Sequence, residues 1–64
     1  MCILKEYIYI DGQLDDVDVS ISESKESLVK YISSEVGEDV WDWFRSSNSY
    51  KDYYHNKIYK IEEQ

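Results

Sequence analysis

A strict alternation of apolar with acidic or hydroxyl side chains, DVDVSIS over Asp16–Ser22, constrains the fold of this chain more than any other feature. Successive side chains of a β-strand point to opposite faces of the sheet, so the segment is predicted to be a strand with two unlike faces. We expect Val17, Val19 and Ile21 to face the core. The acidic and hydroxyl side chains then lie on the outer face.

A second strand-like segment, ILKEYIYI over Ile3–Ile10, precedes the first and ends in alternating tyrosine and isoleucine. Asp11-Gly12 is a strong turn signal between such segments, so the two strands are predicted to pair as an antiparallel hairpin. The connection is expected to continue through Asp15, because Gln13–Asp15 shows no clear alternation.

Four serines between residues 20 and 27 provide signals for the start of a helix. Serine is a preferred N-cap, and either Ser22 or Ser24 can serve. An apolar stripe at helical spacing follows and predicts the buried face of the helix. Its members are Leu28, Val29, Ile32 and Val36. Gly37 fits the left-handed residue that ends many helices.

The segment EDVWDWF, Glu38–Phe44, predicts a second and shorter helix. At helical spacing, Val40, Trp41 and Phe44 share one face and are expected to be buried. Trp43 falls outside this face, so we expect it to be partly exposed.

The last third of the chain contains one clear strand, KIYKI over Lys57–Ile61. Ser46–Ser49 predicts a loop, and Tyr50–Tyr54 is ambiguous between a helical turn and coil. The sequence therefore predicts a single α+β domain over residues 1–64. Its expected architecture is a small three-stranded antiparallel sheet with one or two short helices on one face, in the order β-β-α-α-β.

The charge balance restricts the class of partner. Fourteen acidic residues oppose seven basic ones, for a net charge of −7. Nucleic acids and anionic membranes are bound by lysine and arginine, so neither is expected to bind directly. The charge favours a basic protein partner, although solubility alone would also explain it. A local basic and aromatic segment near the C-terminus is the exception: Lys51, Lys57 and Lys60 alternate with Tyr53, Tyr54 and Tyr59.

The sequence contains no convincing catalytic or metal-binding pattern. Cys2 is the only cysteine, so neither an intramolecular disulfide nor a thiol metal cluster can form. His55 is the only histidine, and nothing in the sequence relates it to a nucleophile. The early aspartates lack the spacing of a calcium loop. We expect a protein that is not an enzyme and has no cofactor; a small enzyme or metal protein is the third alternative.

The acidic residues form two clusters that are candidates for partner binding. The first surrounds the hairpin and the start of the first helix: Asp11, Asp15, Asp16, Asp18 and Glu23. The second lies at the start of the next helix: Glu38, Asp39 and Asp42. Carboxylates at regular spacing on a strand can imitate a nucleic-acid backbone and attract a cleft lined with arginine and lysine. Tyr9 and Trp43 are the expected aromatic anchors.

The stretch ISESKESLVKYIS, Ile21–Ser33, resembles the small acidic anti-CRISPR proteins of phages and prophages. These proteins inhibit the type II guide-RNA-programmed DNA nuclease. The shared pattern comprises an ISES element, an ES pair, two aliphatic residues, a lysine–aromatic pair and IS. An Asp-Gly turn and an aromatic pair before the last strand also match, here Asp11-Gly12 and Tyr53-Tyr54. The family's acidic run before that pair is replaced by SSNSYKD, Ser46–Asp52.

The resemblance implies a small antiparallel sheet with helices and a role as a DNA mimic in the DNA-binding cleft of the nuclease. It assigns Asp11, Gly12 and Glu23 to matching positions; the other site residues come from the charge pattern. The expected location is the cytoplasm of an infected bacterial cell, because the chain has neither a secretory signal nor a membrane-spanning apolar run. The expected state is a monomer or a weak dimer. The alternative is an acidic interaction module, such as an inhibitor of host RNA polymerase or the immunity or antitoxin partner of a basic toxin.

Overall fold

The computed structural model describes all residues, Met1–Gln64, and contains four strands and two helices. These elements are β1 (Cys2–Ile10), β2 (Gln13–Ser22), α1 (Lys25–Val36), α2 (Trp41–Ser46), β3 (Ser49–Asp52) and β4 (Lys57–Glu63). The strands form one antiparallel sheet in the order β2-β1-β4-β3, and both helices pack on one of its faces. No helix has the length and apolar character needed to cross a bilayer.

The α+β class agrees with the sequence prediction, but the predicted number of strands is wrong. The sheet has four strands rather than three, and the element order is β-β-α-α-β-β. The additional strand, β3, lies in the segment predicted as a loop followed by an ambiguous stretch. It has only four residues, which is too short for a recognisable alternation, and it exists because Tyr50 and its neighbours pair with β4.

The turn between β1 and β2 consists of Asp11 and Gly12, as predicted. Both residues have positive φ, 52° and 79°, which is the backbone of the two-residue turn that matches the twist of a hairpin. The prediction that the connection continues through Asp15 is wrong, because β2 begins directly after the turn at Gln13.

A register irregularity explains why the start of β2 was missed. Ile8 pairs with Asp16 and Tyr9 pairs with Leu14, so Asp15 is an extra residue, a β-bulge. The bulge interrupts the two-residue repeat, and Leu14 therefore lies on the same face as Val17. The sequence pattern consequently appears irregular although the chain remains extended.

The prediction that Val17, Val19 and Ile21 face the core is also wrong. Direct partners in an antiparallel pair share a face, and these three residues lie opposite Tyr7, Lys5 and Ile3 on the face that no helix covers. Their side chains are 36%, 59% and 67% exposed. The helix-covered face of β2 instead carries its acidic and hydroxyl residues: Asp16, Asp18, Ser20 and Ser22.

The core lies between the helices and the other sheet face. It contains nine buried residues: Cys2, Leu4, Leu28, Val29, Ile32, Val40, Phe44, Tyr59 and Ile61. The predicted stripe of α1 supplies three of them, and Val36 packs against the cluster from its edge. The predicted burial of Val40 and Phe44 and the partial exposure of Trp43 are confirmed, whereas Trp41, predicted on the same face, is only partly buried. Helix α2 begins at Trp41 rather than Glu38.

Both ends of α1 follow the sequence signals. Ser24 is the N-cap, and its hydroxyl accepts a hydrogen bond of 3.2 Å from the Ser27 backbone N–H. Gly37 takes the left-handed conformation, φ 81°, and its N–H donates to the Ser33 carbonyl at 2.9 Å. These caps fix where α1 begins and ends along the chain. The contact between the Tyr31 hydroxyl and Glu6 Oε2, at 3.4 Å, places the second half of the helix beside the hairpin.

Candidate functional site

Most carboxylates of this protein have no basic neighbour within ion-pair distance. Five of the fourteen form ion pairs: Glu26, Asp42, Asp52, Glu62 and Glu63. The other nine do not. Six of these nine lie on the β1–β2 hairpin or on the adjoining end of α1, and we call them the hairpin acidic surface. Its members are Glu6, Asp11, Asp15, Asp16, Asp18 and Glu35.

Glu6 lies at the centre of this surface. It is 5% exposed and is the direct cross-strand partner of Asp18. Burial raises the pKa of the Glu6 carboxyl above its ordinary value, and the charges of Asp18 and Glu35 raise it further. Lys57 and the hydroxyl of Tyr31 act in the opposite direction but do not cancel the increase.

Tyr31 connects α1 to the hairpin. Its hydroxyl lies 3.1 Å from Glu35 Oε1 and 3.4 Å from Glu6 Oε2, so it donates to the first and lies within reach of the second. Burial and the two carboxylates raise the pKa of Tyr31 to about 12. The tyrosine therefore remains a neutral donor, and it holds carboxylates from two elements close together.

Asp16 and Asp18 extend the surface along the edge of the sheet. Residues two apart on a strand are about 6.6–6.8 Å apart and share a face. The Asp16 Oδ1 atom accepts a hydrogen bond of 2.8 Å from the Val17 N–H, which orients this carboxylate. Carboxylates fixed in this way offer acceptor oxygens to guanidinium and ammonium groups. No group of three or more histidine, cysteine or acidic side chains is arranged to hold a metal ion.

The second predicted cluster lies on a different part of the molecule. Glu38 accepts a hydrogen bond of 3.1 Å from the hydroxyl of Tyr50 on β3, and Asp39 accepts one of 2.9 Å from the Trp41 N–H. Strands β2 and β3 are opposite edges of the sheet, three strand spacings or about 14 Å apart. Asp42 is paired with Arg45 at 3.2 Å. The structure therefore does not bring the two acidic clusters together.

The remaining predicted residues are also separated from the hairpin acidic surface. Glu23 follows the far end of β2, at the opposite end from the turn. Tyr9 lies opposite Leu14 on the helix-free face. Trp43 is 56% exposed on α2, where its Nε1 donates to the Ser49 carbonyl at 2.7 Å and its ring makes an edge contact with Tyr50.

The basic and aromatic segment does not form one patch. Lys51 and Lys60 lie on the helix-free face, each 5.4 Å from the centre of a tyrosine ring. Lys57 lies on the helix-covered face, because its direct partner on β1 is Ile8, which lies on the same face as Leu4 and Glu6. Tyr59 is 1% exposed and belongs to the core. The lysines are therefore divided between the two faces of the sheet.

Glu6, Tyr31 and Glu35 were not predicted as site residues. The alternation in β1 places Glu6 on the same face as Leu4, and this was the available signal for its burial. Tyr31 and Glu35 are one helical turn apart, the spacing at which side chains contact each other. Neither pattern indicates that α1 lies beside β2, because that depends on packing between distant segments.

Comparison with known proteins finds no matching family model, no matching curated protein and no matching solved structure. The fold and the site define a class only: a small α+β domain whose helix-covered side carries an acidic surface without ion pairs.

Proposed function

We propose that this chain is a non-catalytic inhibitor that imitates DNA and occupies the DNA-binding cleft of a bacterial defence nuclease. The hairpin acidic surface is the observation that carries this proposal. Six carboxylates without an ion pair lie on the hairpin or on the adjoining end of α1 in a protein of 64 residues. A cleft lined with arginine and lysine attracts such a surface at long range and increases the rate of association.

The geometry of β2 suits this role. Asp16 and Asp18 repeat at the two-residue spacing of a strand, and the full pairing of β2 with β1 holds them in place. A surface that is rigid before binding loses little conformational entropy in the complex. The two carboxylates can therefore replace successive phosphates opposite basic side chains of the cleft.

Glu6 adds a buried carboxylate that forms no ion pair within the chain, although the charge of Lys57 lowers its pKa. Asp18 lies across the strand from it, and Tyr31 holds Glu35 nearby. An arginine of the partner could contact the carboxylates of this group through a bidentate pair, which is stronger than a single neutral hydrogen bond. Such a contact would offset the repulsion among these acids and would stabilise the complex.

The resemblance of Ile21–Ser33 to acidic anti-CRISPR proteins supports the type II CRISPR effector nuclease as the partner. A phage-encoded inhibitor would act in the cytoplasm of the infected host cell. Glu23 and the second acidic cluster with Trp43 would then contact parts of the nuclease beyond the hairpin. In this proposal, the second cluster replaces the acidic run that the family carries before its aromatic pair.

The test is the affinity of the purified protein for a type II CRISPR nuclease loaded with guide RNA, with target DNA as competitor. The double variant Asp16→Asn/Asp18→Asn should bind at least about 100-fold more weakly. In the proposed complex each aspartate pairs with a basic side chain of the nuclease, and loss of one member of such a buried pair costs several kcal/mol. The control Glu62→Gln/Glu63→Gln removes two charges from β4 and should bind as the natural chain does. Increasing salt should weaken binding steeply.

Two outcomes would contradict the proposal at different points. Equal loss of affinity in both double variants would show that net charge, and not the hairpin acidic surface, determines binding. Absence of any binding at low salt would exclude this nuclease as the partner. The same pair of variants would then be measured against host RNA polymerase and against a basic toxin encoded beside the chain.

A further inference from the structure

Strand β2 is a long edge strand with a free side. It has ten residues and pairs only with β1, whereas the other edge strand, β3, has four. The outward backbone N–H and C=O groups of such an edge are a template for another strand. Natural proteins usually shorten, cover or charge an exposed edge. No strand pairs with the outer side of β2, and its charges, Asp15, Asp16 and Asp18, all lie within its first six residues.

The edge is also apolar on one face. Leu14, Val17, Val19 and Ile21 project from the helix-free face, and each is at least 36% exposed. Four exposed aliphatic side chains on one strand of a small protein are typical of an interaction surface rather than of ordinary surface composition.

The order of residues along β2 is self-complementary. Regular strand is bounded by the bulge at Asp15 and by the end of β2 at Ser22, which leaves the seven residues DVDVSIS. The two acids lie before the central Val19, and the two serines lie after it at the same distances. When a second copy runs antiparallel with Val19 opposite Val19, aliphatic residues face aliphatic residues and acids face serines. The flanking pairs are then Val17 with Ile21, Asp18 with Ser20, and Asp16 with Ser22.

We propose that a second copy of this chain pairs along β2 in this register, which forms a continuous eight-stranded antiparallel sheet. The two-fold axis is perpendicular to the sheet at Val19, so the helices of both copies lie on the same side. Directly opposite side chains are about 4.5–5.5 Å apart at Cβ, so each serine hydroxyl can donate to the carboxylate opposite it.

The charges select this register over its neighbours. If the two-fold axis lay at Asp18 instead of Val19, Asp18 of one copy would face Asp18 of the other. If the axis lay at Val17, Asp16 would face Asp18. Like charges that face each other across strands are destabilising. If the axis lay at Ser20, Val17 would face Glu23, a residue that lies beyond the end of β2. Only the register centred on Val19 pairs all seven residues without a repulsive or mismatched pair.

Pairing of β2 with β2 goes beyond the inhibitory function and is measured without any partner protein. It would place the aspartates of both copies on the same face, which doubles the acidic row at the centre of the joined sheet. Self-association should become tighter as salt increases, because each copy carries a charge of −7. Binding to a basic cleft changes in the opposite direction, so the two proposals can fail separately.

The test is sedimentation velocity of the natural chain over a wide concentration series, with variants that change the proposed pairs. The expected result is an increase from the mass of one copy, 7.7 kDa, to the mass of two. Ser20→Asp places an acid opposite Asp18 at two symmetric positions and should raise the dimer dissociation constant about tenfold. Ser34→Asp adds the same charge on the exposed surface of α1 and should have a much smaller effect.

A mixing experiment tests the register directly. Asp18→Lys protein mixed with Ser20→Asp protein should form mixed dimers more tightly than Ser20→Asp protein forms its own, because the introduced lysine of one copy then faces the introduced aspartate of the other. Circular dichroism of each variant reports whether it is folded. A constant mass of one copy at all concentrations would overturn the proposal. Open-ended assembly larger than two copies, or mixed dimers no tighter than those of Ser20→Asp alone, would also overturn it.

Discussion

Glu6 on β1 and Asp18 on β2 are direct cross-strand partners on the helix-covered face, and neither forms an ion pair. Glu6 is also buried, and its pKa is raised first by that burial and then by the neighbouring carboxylates. A buried acid opposite another acid weakens the fold. The two acids lie in the proposed binding surface, so a basic group of the partner would reduce the repulsion between them.

The first prediction concerns the stability of the variant Glu6→Gln. The amide removes the charge but keeps an acceptor for the hydroxyl of Tyr31, so the free energy of unfolding should increase by about 0.5–1 kcal/mol near neutral pH. Urea denaturation measures this change. Glu23→Gln, which removes an exposed charge without an ion pair, is the control and should change stability little.

The second prediction concerns how the higher stability of Glu6→Gln depends on pH. The pKa of Glu6 is higher in the folded protein than its ordinary value of 4.5, so the folded state binds more protons between these two values. Stability of the natural chain should therefore decrease as pH rises through this interval and should remain lower above it. The advantage of Glu6→Gln should be largest at a pH above this interval and should become small at a pH below 4.5. An advantage that is equal at both pH values would contradict the burial of a charged Glu6.

The third prediction isolates the contribution of Asp18. The variant Asp18→Asn should lower the pKa of Glu6 toward its ordinary value, because it removes one of the two negative charges that raise it. NMR titration of the Glu6 side-chain carboxyl measures the change. Asp42→Asn, on α2 and paired with Arg45, should leave the Glu6 titration unaltered. If both variants shift the titration equally, the coupling is not local to the hairpin.

The fourth prediction concerns the loop between β3 and β4. Asp52 is 6% exposed, and its Oδ1 accepts hydrogen bonds from the Tyr54 and His55 backbone N–H groups at 3.1 and 3.3 Å. Asp52→Ala should lower the free energy of unfolding by about 1–3 kcal/mol, because both donors lose their partner. His55→Ala removes the contact of 2.7 Å between Nδ1 and Asp52 Oδ2 and the edge contact with the Tyr54 ring, and it should cost less than about 1 kcal/mol because the imidazole is exposed. Thermal denaturation of the two variants compares them.

The fifth prediction concerns the core contact between α2 and the sheet. Phe44 is fully buried beside Tyr50, so Phe44→Ala should cost about 3–5 kcal/mol and unfold a large fraction of this small domain. Phe44→Leu leaves a smaller cavity and should remain folded with lower stability. Tyr53→Ala, at a site that is 79% exposed, serves as the control. A folded and stable Phe44→Ala protein would show that α2 contributes little to the core.

Local signals in the sequence determined several elements directly. Asp11 and Gly12 form the hairpin turn because the required positive φ values suit these residue types. Ser24 and Gly37 bound α1 because each satisfies backbone groups that the helix leaves free. These features involve residues only a few positions apart, so their physical causes are visible in the sequence.

Part of the candidate site was visible in the same way. The aspartates of the hairpin lie near each other because the turn joins the two strands directly. The addition of Glu6 and Glu35, and the separation of Glu38 and Asp39 from them, could not be predicted. These positions depend on how α1 and α2 cross the sheet, and no short segment records those crossings.

The sequence by itself determined that β2 has one aliphatic and one acidic face, because side chains alternate along any extended chain. Only the tertiary structure decided which of these faces the helices cover. The apolar stripe of α1 packs on Leu4 and Ile61, and the antiparallel register then places Ser20 of β2, with its acidic neighbours, beside them. The aliphatic residues of β2 were left exposed because the helices cover the face that carries Leu4, Tyr59 and Ile61 of the central strands, and Val17, Val19 and Ile21 pair with residues of the opposite face.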